Sequence, residues 1–232
     1  MTGAPVPPPG LVDEVMERAA DLRARLGERT DRPVRVVCVT KGHPPVVAAA
    51  ALAAGLTDLG ENYAQELALK ADLLSGQVGA AGASWHFIGQ LQRNKVRLLA
   101  PWVDWWHTVD RASLVDELGR RTPGARVLVQ LDLAGIAGRG GCDPADAPAL
   151  VARATAAGLD VVGLMGVAPP GAPEDARPGF RRLVAIADDL GLPERSIGMS
   201  GDVEVAVEEG ATVVRVGAAL VGPRPATGPV GG

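Results

Sequence analysis

Residues 34–41 read Val34-Arg35-Val36-Val37-Cys38-Val39-Thr40-Lys41, a run of nearly continuous β-branched residues. Gly42 and then Pro44-Pro45 follow at once and end the run. A run this apolar is typical of a strand that is buried on both faces, as in a parallel sheet. The stretch therefore predicts a central parallel strand, and it places a lysine at the carboxyl end of that strand.

Similar runs recur along the chain and alternate with helical stretches. Strands are predicted at 34–40, 57–60, 84–88, 103–107, 126–132, 160–165, 195–198 and 212–216. Helices are predicted at 11–27, 44–54, 63–75, 93–99, 111–121, 145–157, 174–190 and 202–209, with a short turn at 218–222. Strict alternation indicates an α/β protein with a parallel sheet, and eight units favour a (β/α)8 TIM-type barrel with an additional N-terminal helix. An open doubly wound sheet is the alternative, but no strand is followed by a Gly-x-Gly-x-x-Gly dinucleotide turn.

A single domain accounts for the length. The barrel is predicted to span residues 11–224 of the 232-residue chain. Both ends are rich in Pro and Gly, so residues 1–10 and 225–232 are expected to be disordered tails.

The composition excludes several classes of function. A net charge of −4 with 22% charged residues gives no basic surface for nucleic acid or for an anionic membrane. No apolar stretch is long enough for a membrane span, and the first residues do not resemble a signal peptide. Two cysteines cannot form a disulfide framework, and Cys38 is interpreted as a core residue. The protein is therefore expected in the cytoplasm.

Lys41 is the first candidate for chemistry. The chain has only three lysines, at positions 41, 70 and 95, and all its other basic residues are arginines. A lysine at the end of a buried strand is costly unless it is paired, neutral or chemically used. An amine in that position suits a Schiff base with an aldehyde. The alternative is a strand-end lysine whose stem is buried and whose amine reaches the solvent.

Polar and glycine clusters mark the carboxyl ends of other strands, the edge where barrels of this type carry their active sites. They are Gly60-Glu61-Asn62-Tyr63, Trp85-His86-Phe87-Ile88-Gly89, His107, Met165-Gly166, Gly198-Met199-Ser200-Gly201-Asp202 and Arg215-Val216-Gly217. The last two clusters resemble a phosphate site, because their glycines let backbone N–H groups approach an anion closely. Arg215 lies within a buried strand and therefore needs a partner. That partner is either a carboxylate of the protein or a group of a ligand, namely a ring nitrogen or a phosphate.

A lysine amine, a phosphate cradle and an arginine at the barrel mouth together suit pyridoxal 5'-phosphate (PLP). The chain resembles the pyridoxal-phosphate homeostasis protein family, single-domain relatives of the alanine racemase barrel. The segments that carry the resemblance are Val39-Thr40-Lys41, Gly60-Glu61-Asn62-Tyr63, Trp85-His86-Phe87-Ile88-Gly89-Gln90-Leu91-Gln92, Asn94-Lys95, Gly163-Leu164-Met165, Gly198-Met199-Ser200-Gly201-Asp202 and Arg215-Val216-Gly217.

The resemblance assigns a role to each candidate site residue. Lys41 is expected to form the Schiff base, Ser200 and the backbone near Gly217 to hold the phosphate, and Arg215 to face the pyridine nitrogen. The full set of expected cofactor-binding residues is Lys41, Asn62, His86, Met199, Ser200, Arg215, Gly217 and Ala218. Ala218 stands where the family usually has threonine, which removes one hydroxyl directed at the phosphate. His43 and His107 are expected to be structural or surface groups.

The resemblance implies a role in vitamin B6 homeostasis. The protein is expected to hold and release PLP without substantial turnover, because the second catalytic base of the racemases lies in a domain that this barrel lacks. Its one tyrosine, Tyr63, is expected to pack beside the Asn62 turn. The expected partners are PLP and apo-enzymes that accept it, and the protein is expected to be a monomer. The alternatives are a PLP-dependent racemase or lyase of low activity, and a barrel that binds another phosphorylated metabolite.

Overall fold

The computed structural model describes residues 4–136, 138 and 140–224. Eight parallel strands close into a barrel in chain order, so β1 pairs with both β2 and β8. The strands are β1 (Arg35–Val39), β2 (Asp58–Glu61), β3 (Ser84–Phe87), β4 (Trp105–Val109), β5 (Arg126–Leu131), β6 (Asp160–Gly166), β7 (Glu194–Ser196) and β8 (Val213–Val216). All eight predicted strands and the (β/α)8 barrel are thereby confirmed, and the open sheet is excluded.

Helices surround the barrel and follow the predicted order. They are α1 (Pro9–Gly27), α2 (Pro45–Ala53), α3 (Ala64–Ala81), α4 (Val96–Leu99), α5 (Ala112–Arg121), α6 (Ala147–Ala156), α7 (Arg177–Asp189), α8 (Val203–Glu208) and α9 (Ala218–Val221). The additional N-terminal helix α1 begins at Pro9, within the stretch expected to be a disordered tail. Of the two expected tails, residues 1–3 and 225–232 lie outside the described residues.

Helix α3 runs beyond its predicted end at residue 75, through two glycines that each cost about 1 kcal/mol of helix propensity. Its last turns are held by tertiary contacts. Val78 packs against the main core, and Gln77 Nε2 donates to Pro5 O at 3.2 Å. Tertiary packing therefore overrides local propensity here.

The apolar core lies between the strands and the helices, whereas the barrel interior is partly polar. The main cluster joins residues of every strand except β7 to the inner faces of the helices, with Trp106, Leu118 and Phe180 among its fully buried members. A second, small apolar cluster of Trp105, Leu128 and Met165 lies apart from it. No helix within the described residues is long and apolar enough to cross a membrane.

Candidate functional site

A cavity of about 460 Å³ opens at the carboxyl ends of the strands. Val39 lines it at the end of β1, Lys41 in the turn that follows β1, Arg215 on β8, and Ser200 in the turn that follows β7. Of the predicted site residues, Lys41, Asn62, Met199, Ser200, Arg215, Gly217 and Ala218 line it. Residues separated by most of the chain thus meet because parallel strands bring their ends to one edge.

The surroundings of Lys41 favour the neutral, nucleophilic form of its amine. Burial lowers the pKa of Lys41 below its usual 10.5, and the nearby Arg224 and Arg215 cations lower that pKa further, against the opposing charge of Glu61. Among the described residues, no carboxylate forms an ion pair with this amine. A larger fraction of the amine is therefore unprotonated at neutral pH than for a surface lysine.

A buried cluster beneath Lys41 fixes the backbone on both sides of it. Lys70 Nζ donates to Thr40 O at 2.7 Å and to Glu61 Oε1 at 2.6 Å. Glu66 Oε1 accepts from Lys70 Nζ and from Gly42 N, each at 2.7 Å. Burial raises the pKa of the Glu61 carboxyl to about 7 although Lys70 lowers it. Since Lys70 is fully occupied and 1% exposed, it has no access to the cavity.

Arg215 is a buried cation without a carboxylate partner in the described part of the chain. Its Nη1 donates to Ser196 O at 2.6 Å and to Ser196 Oγ at 2.7 Å, and its Nη2 donates to Gly166 O at 2.9 Å. Burial lowers the pKa of Arg215 to about 10, so the guanidinium remains charged at neutral pH. Of the two partners predicted for Arg215, the carboxylate is therefore excluded within the described residues. Within the described residues no carboxylate contacts the guanidinium, although the charge of Asp202 raises its pKa against the effect of burial.

The turn after β7 depends on a glycine. Gly198 has φ +93°, and a Cβ there would lie 2.6 Å from Ala206 Cβ, so a side chain would meet both strain and a clash. Asp202 Oδ1 accepts from Met199 N at 2.6 Å and closes the turn. This turn brings Ser200 to the cavity.

Asn62 contributes an unsatisfied polar atom. Its Oδ1 is buried and has no hydrogen-bond partner among the described residues. The Asn62 backbone packs closely against Gly89, where a Cβ would lie 1.9 Å from Asn62 O. Because an unpaired buried acceptor is costly, Asn62 suits a ligand that donates a hydrogen bond.

One expectation needs correction: His86 does not line the cavity but is fully buried inside the barrel, where it contacts His107 and Asp58. His43, expected to be structural or on the surface, is buried and lines the cavity. Tyr63, next to Asn62, is 54% exposed.

Other cavity residues were missed. Gln130, Leu131 and Asp132 line it at the end of β5, the one strand whose carboxyl end the sequence analysis did not consider. The rule used for the other strands would have found them. Arg224 also lines the cavity, but its position past the last helix carries no sequence signal.

Comparison with known proteins supports one family. The family model for the alanine racemase N-terminal domain matches residues 12–225. A pyridoxal phosphate homeostasis protein of Pseudomonas aeruginosa is 37% identical over 224 residues, covering 92% of this chain and 96% of the relative. The structure of PipY of Synechococcus elongatus with PLP bound superposes with a TM-score of 0.79 at 32% identity, covering 89% of this chain and 99% of PipY. Alanine racemase of Corynebacterium glutamicum, at 19% identity and a TM-score of 0.71, shares the fold and covers 94% of this chain and 63% of that one.

Proposed function

The chain belongs to the pyridoxal phosphate homeostasis protein family, and from this premise we propose that it holds and releases PLP through a reversible covalent bond to Lys41. PLP supplies an aldehyde, which condenses reversibly with a primary amine. The observation that carries the proposal is the meeting, in one cavity, of a lysine with a lowered pKa and a buried arginine that forms no ion pair with a described residue. An aldehyde on a ring whose nitrogen accepts a hydrogen bond matches both groups.

The residues of the cavity fit the parts of the cofactor. Lys41 would bind the aldehyde carbon, and Ser200 with the Gly217 and Ala218 backbone would hold the phosphate. Arg215 would face the ring nitrogen, and Asn62 Oδ1, which lacks a donor among the described residues, would accept from the ring hydroxyl. Met199, 39% exposed, would cover the site from the solvent side.

The arrangement favours storage over catalysis. A permanent cation at Arg215 disfavours a protonated ring nitrogen, and an unprotonated ring is a poorer electron sink for carbanions. Racemisation also needs an acid/base group on each face of the substrate. In racemases of this barrel type one of these groups is a tyrosine, and the described cavity lining contains no tyrosine. A racemase or lyase of low activity is therefore the less favoured function.

The physiological setting follows from this proposal. We infer that the protein acts as a monomer in the cytoplasm and that apo-enzymes receive its PLP. Incubating the PLP-loaded protein with an apo PLP enzyme, and following recovery of that enzyme's activity, tests the transfer. Recovery no faster than that given by the same amount of free PLP would contradict a delivery role.

We expect no appreciable racemisation of alanine by the PLP-loaded protein. General acid–base groups contribute about 10²–10⁴-fold each, so a site that lacks the tyrosine base of the racemases retains at most trace activity. Chiral chromatography of L-alanine incubated with the protein measures this. Turnover at ordinary enzymatic rates, about 1–10³ s⁻¹, would instead establish the enzyme.

We expect Ala218→Thr to tighten PLP binding by up to about tenfold, or ~1.4 kcal/mol. Ala218 begins α9 and lines the cavity, so a hydroxyl there could donate to a phosphate oxygen. Hydrogen bonds to charged groups contribute roughly 1.5–3 kcal/mol, less what is lost in displacing a bound water. Titration of both variants with PLP at fixed ionic strength measures the change, with Ala219→Thr as the matched control. Equal or weaker binding would mean that position 218 does not face the phosphate.

A further inference from the structure

A continuous chain of side-chain hydrogen bonds runs through the barrel from Arg215 to Asp58. Arg215 Nη1 lies 2.7 Å from Ser196 Oγ, which lies 3.0 Å from His107 Nδ1. His107 Nε2 lies 2.9 Å from His86 Nδ1, and His86 Nε2 lies 3.0 Å from Asp58 Oδ1. The three middle side chains are 0% exposed. The chain connects the cofactor cavity to the opposite end of the barrel, where Asp58 lines a second cavity of about 540 Å³.

With neutral imidazoles, the carboxylate end determines the direction of every hydrogen bond in this series. A carboxylate only accepts, so His86 Nε2–H donates to Asp58 and His86 Nδ1 accepts from His107 Nε2–H. His107 Nδ1 then accepts from the Ser196 hydroxyl, whose oxygen accepts from Arg215. Both imidazoles thus carry their hydrogen on Nε2.

The electrostatic surroundings agree with two neutral imidazoles. Burial lowers the pKa of His86, against the hydrogen bond and charge of Asp58, and burial lowers the pKa of His107 well below its usual 6.5. The charged groups that face the pair are Asp58, Asp104 and Arg35, which pairs with Asp58 at 2.7 Å, and Arg215 at the other end of the series. Trp105 stacks on His86 at 5.4 Å between ring centroids, which holds that ring in place.

We propose that His86, His107 and Ser196 are positioning residues that orient Arg215 and connect it to the Asp58 carboxylate, and that this chain sets how Arg215 acts on bound PLP. Aligned hydrogen bonds in a dry interior polarise one another. The Asp58 carboxylate, which also pairs with Arg35 Nη1 at 2.7 Å, is thus connected to Arg215 through neutral groups, without the direct ion pair that would divert the guanidinium from the cavity. The role toward PLP rests on the proposed function, but the series of hydrogen bonds from Arg215 to Asp58 does not.

The first experiment uses the protein without PLP. The chain has three histidines, so ¹⁵N-labelled histidine gives three resolvable spin systems in NMR. We expect His86 and His107 to be neutral, with the hydrogen on Nε2, at pH 7. A charged ring, or a hydrogen on Nδ1 of either histidine, would overturn the inference whatever the protein binds.

The second experiment breaks the chain at each end. Ser196→Ala removes the hydroxyl between Arg215 and His107, and Asp58→Asn keeps an acceptor for His86 and for Arg35 while it removes the charge. Glu194→Gln is the matched control, because Glu194 lines the same second cavity but bonds Thr212 at 2.6 Å rather than the chain.

We expect Ser196→Ala and Asp58→Asn each to shift the absorption maximum of bound PLP, and its dependence on pH, and to weaken PLP binding about threefold to tenfold. Glu194→Gln should leave spectrum and affinity within twofold of the parent. If the parent binds PLP while both chain variants keep its spectrum and affinity, the inference fails and the chain is only structural. If the parent itself does not bind PLP, the proposed function fails. The NMR result still shows whether the two histidines have the protonation that the series of hydrogen bonds requires.

Discussion

Lys41→Arg will abolish covalent retention of PLP. Arginine keeps the positive charge and much of the length of the side chain, but a guanidinium does not condense with an aldehyde at neutral pH. The pKa of Lys41, lowered by burial and by two neighbouring arginines, supplies a neutral amine that no other residue of the described cavity lining offers. Borohydride reduction of the PLP-loaded parent, followed by peptide mapping, should place the pyridoxyl group on Lys41. The variant should carry no label and show no absorption from a lysine adduct.

The other two lysines serve as controls for this result. Lys70 is 1% exposed and bonded to Glu61 and Glu66, so its removal would disturb the fold. Lys95 ends a short helical turn outside the cavity lining, so Lys95→Arg should leave labelling unchanged. A pyridoxyl group on Lys70 or Lys95 of the parent protein would contradict the assignment of Lys41.

Arg215→Glu is expected to lower PLP retention by tenfold or more, ~1.4 kcal/mol at least, and to shift the spectrum of what remains bound. A carboxylate favours a protonated ring nitrogen where a guanidinium disfavours one. It would also lie among Ser196 O, Ser196 Oγ and Gly166 O, which now accept from Arg215. Absorption spectra recorded during dialysis measure both effects, and slow side reactions with amino acids should become detectable.

A conservative variant separates this effect from misfolding. Arg215→Lys keeps a cation at the same position and should retain most of the parent's spectrum with a smaller loss of affinity. Thermal unfolding of both variants without PLP reports the cost to the fold itself. If Arg215→Glu folds and matches the parent in spectrum and retention, Arg215 does not act on the cofactor.

The agreement between the predicted and observed strands has a simple physical origin. Strands such as 126–131 and 213–216 are buried on both faces and therefore consist mainly of apolar residues, so they can be recognised in the amino-acid sequence. Their strict alternation with helices leaves few topologies, and closure brings all carboxyl ends to one edge. For that reason the sequence assigns Lys41, Ser200 and Arg215, which are far apart in the chain, to one site.

The amino-acid sequence by itself determined the eight strands, the barrel and the edge that carries Lys41 and Arg215. It did so because buried strands and helices alternate along the chain as recognisable segments. Only the tertiary structure decided where His86 and His107 lie. Their neighbours Asp58 and Ser196 are on other strands, and whether a strand-end side chain turns into the cavity or into the barrel depends on register and stagger. Those quantities arise when the barrel closes, and no local pattern of residues encodes them.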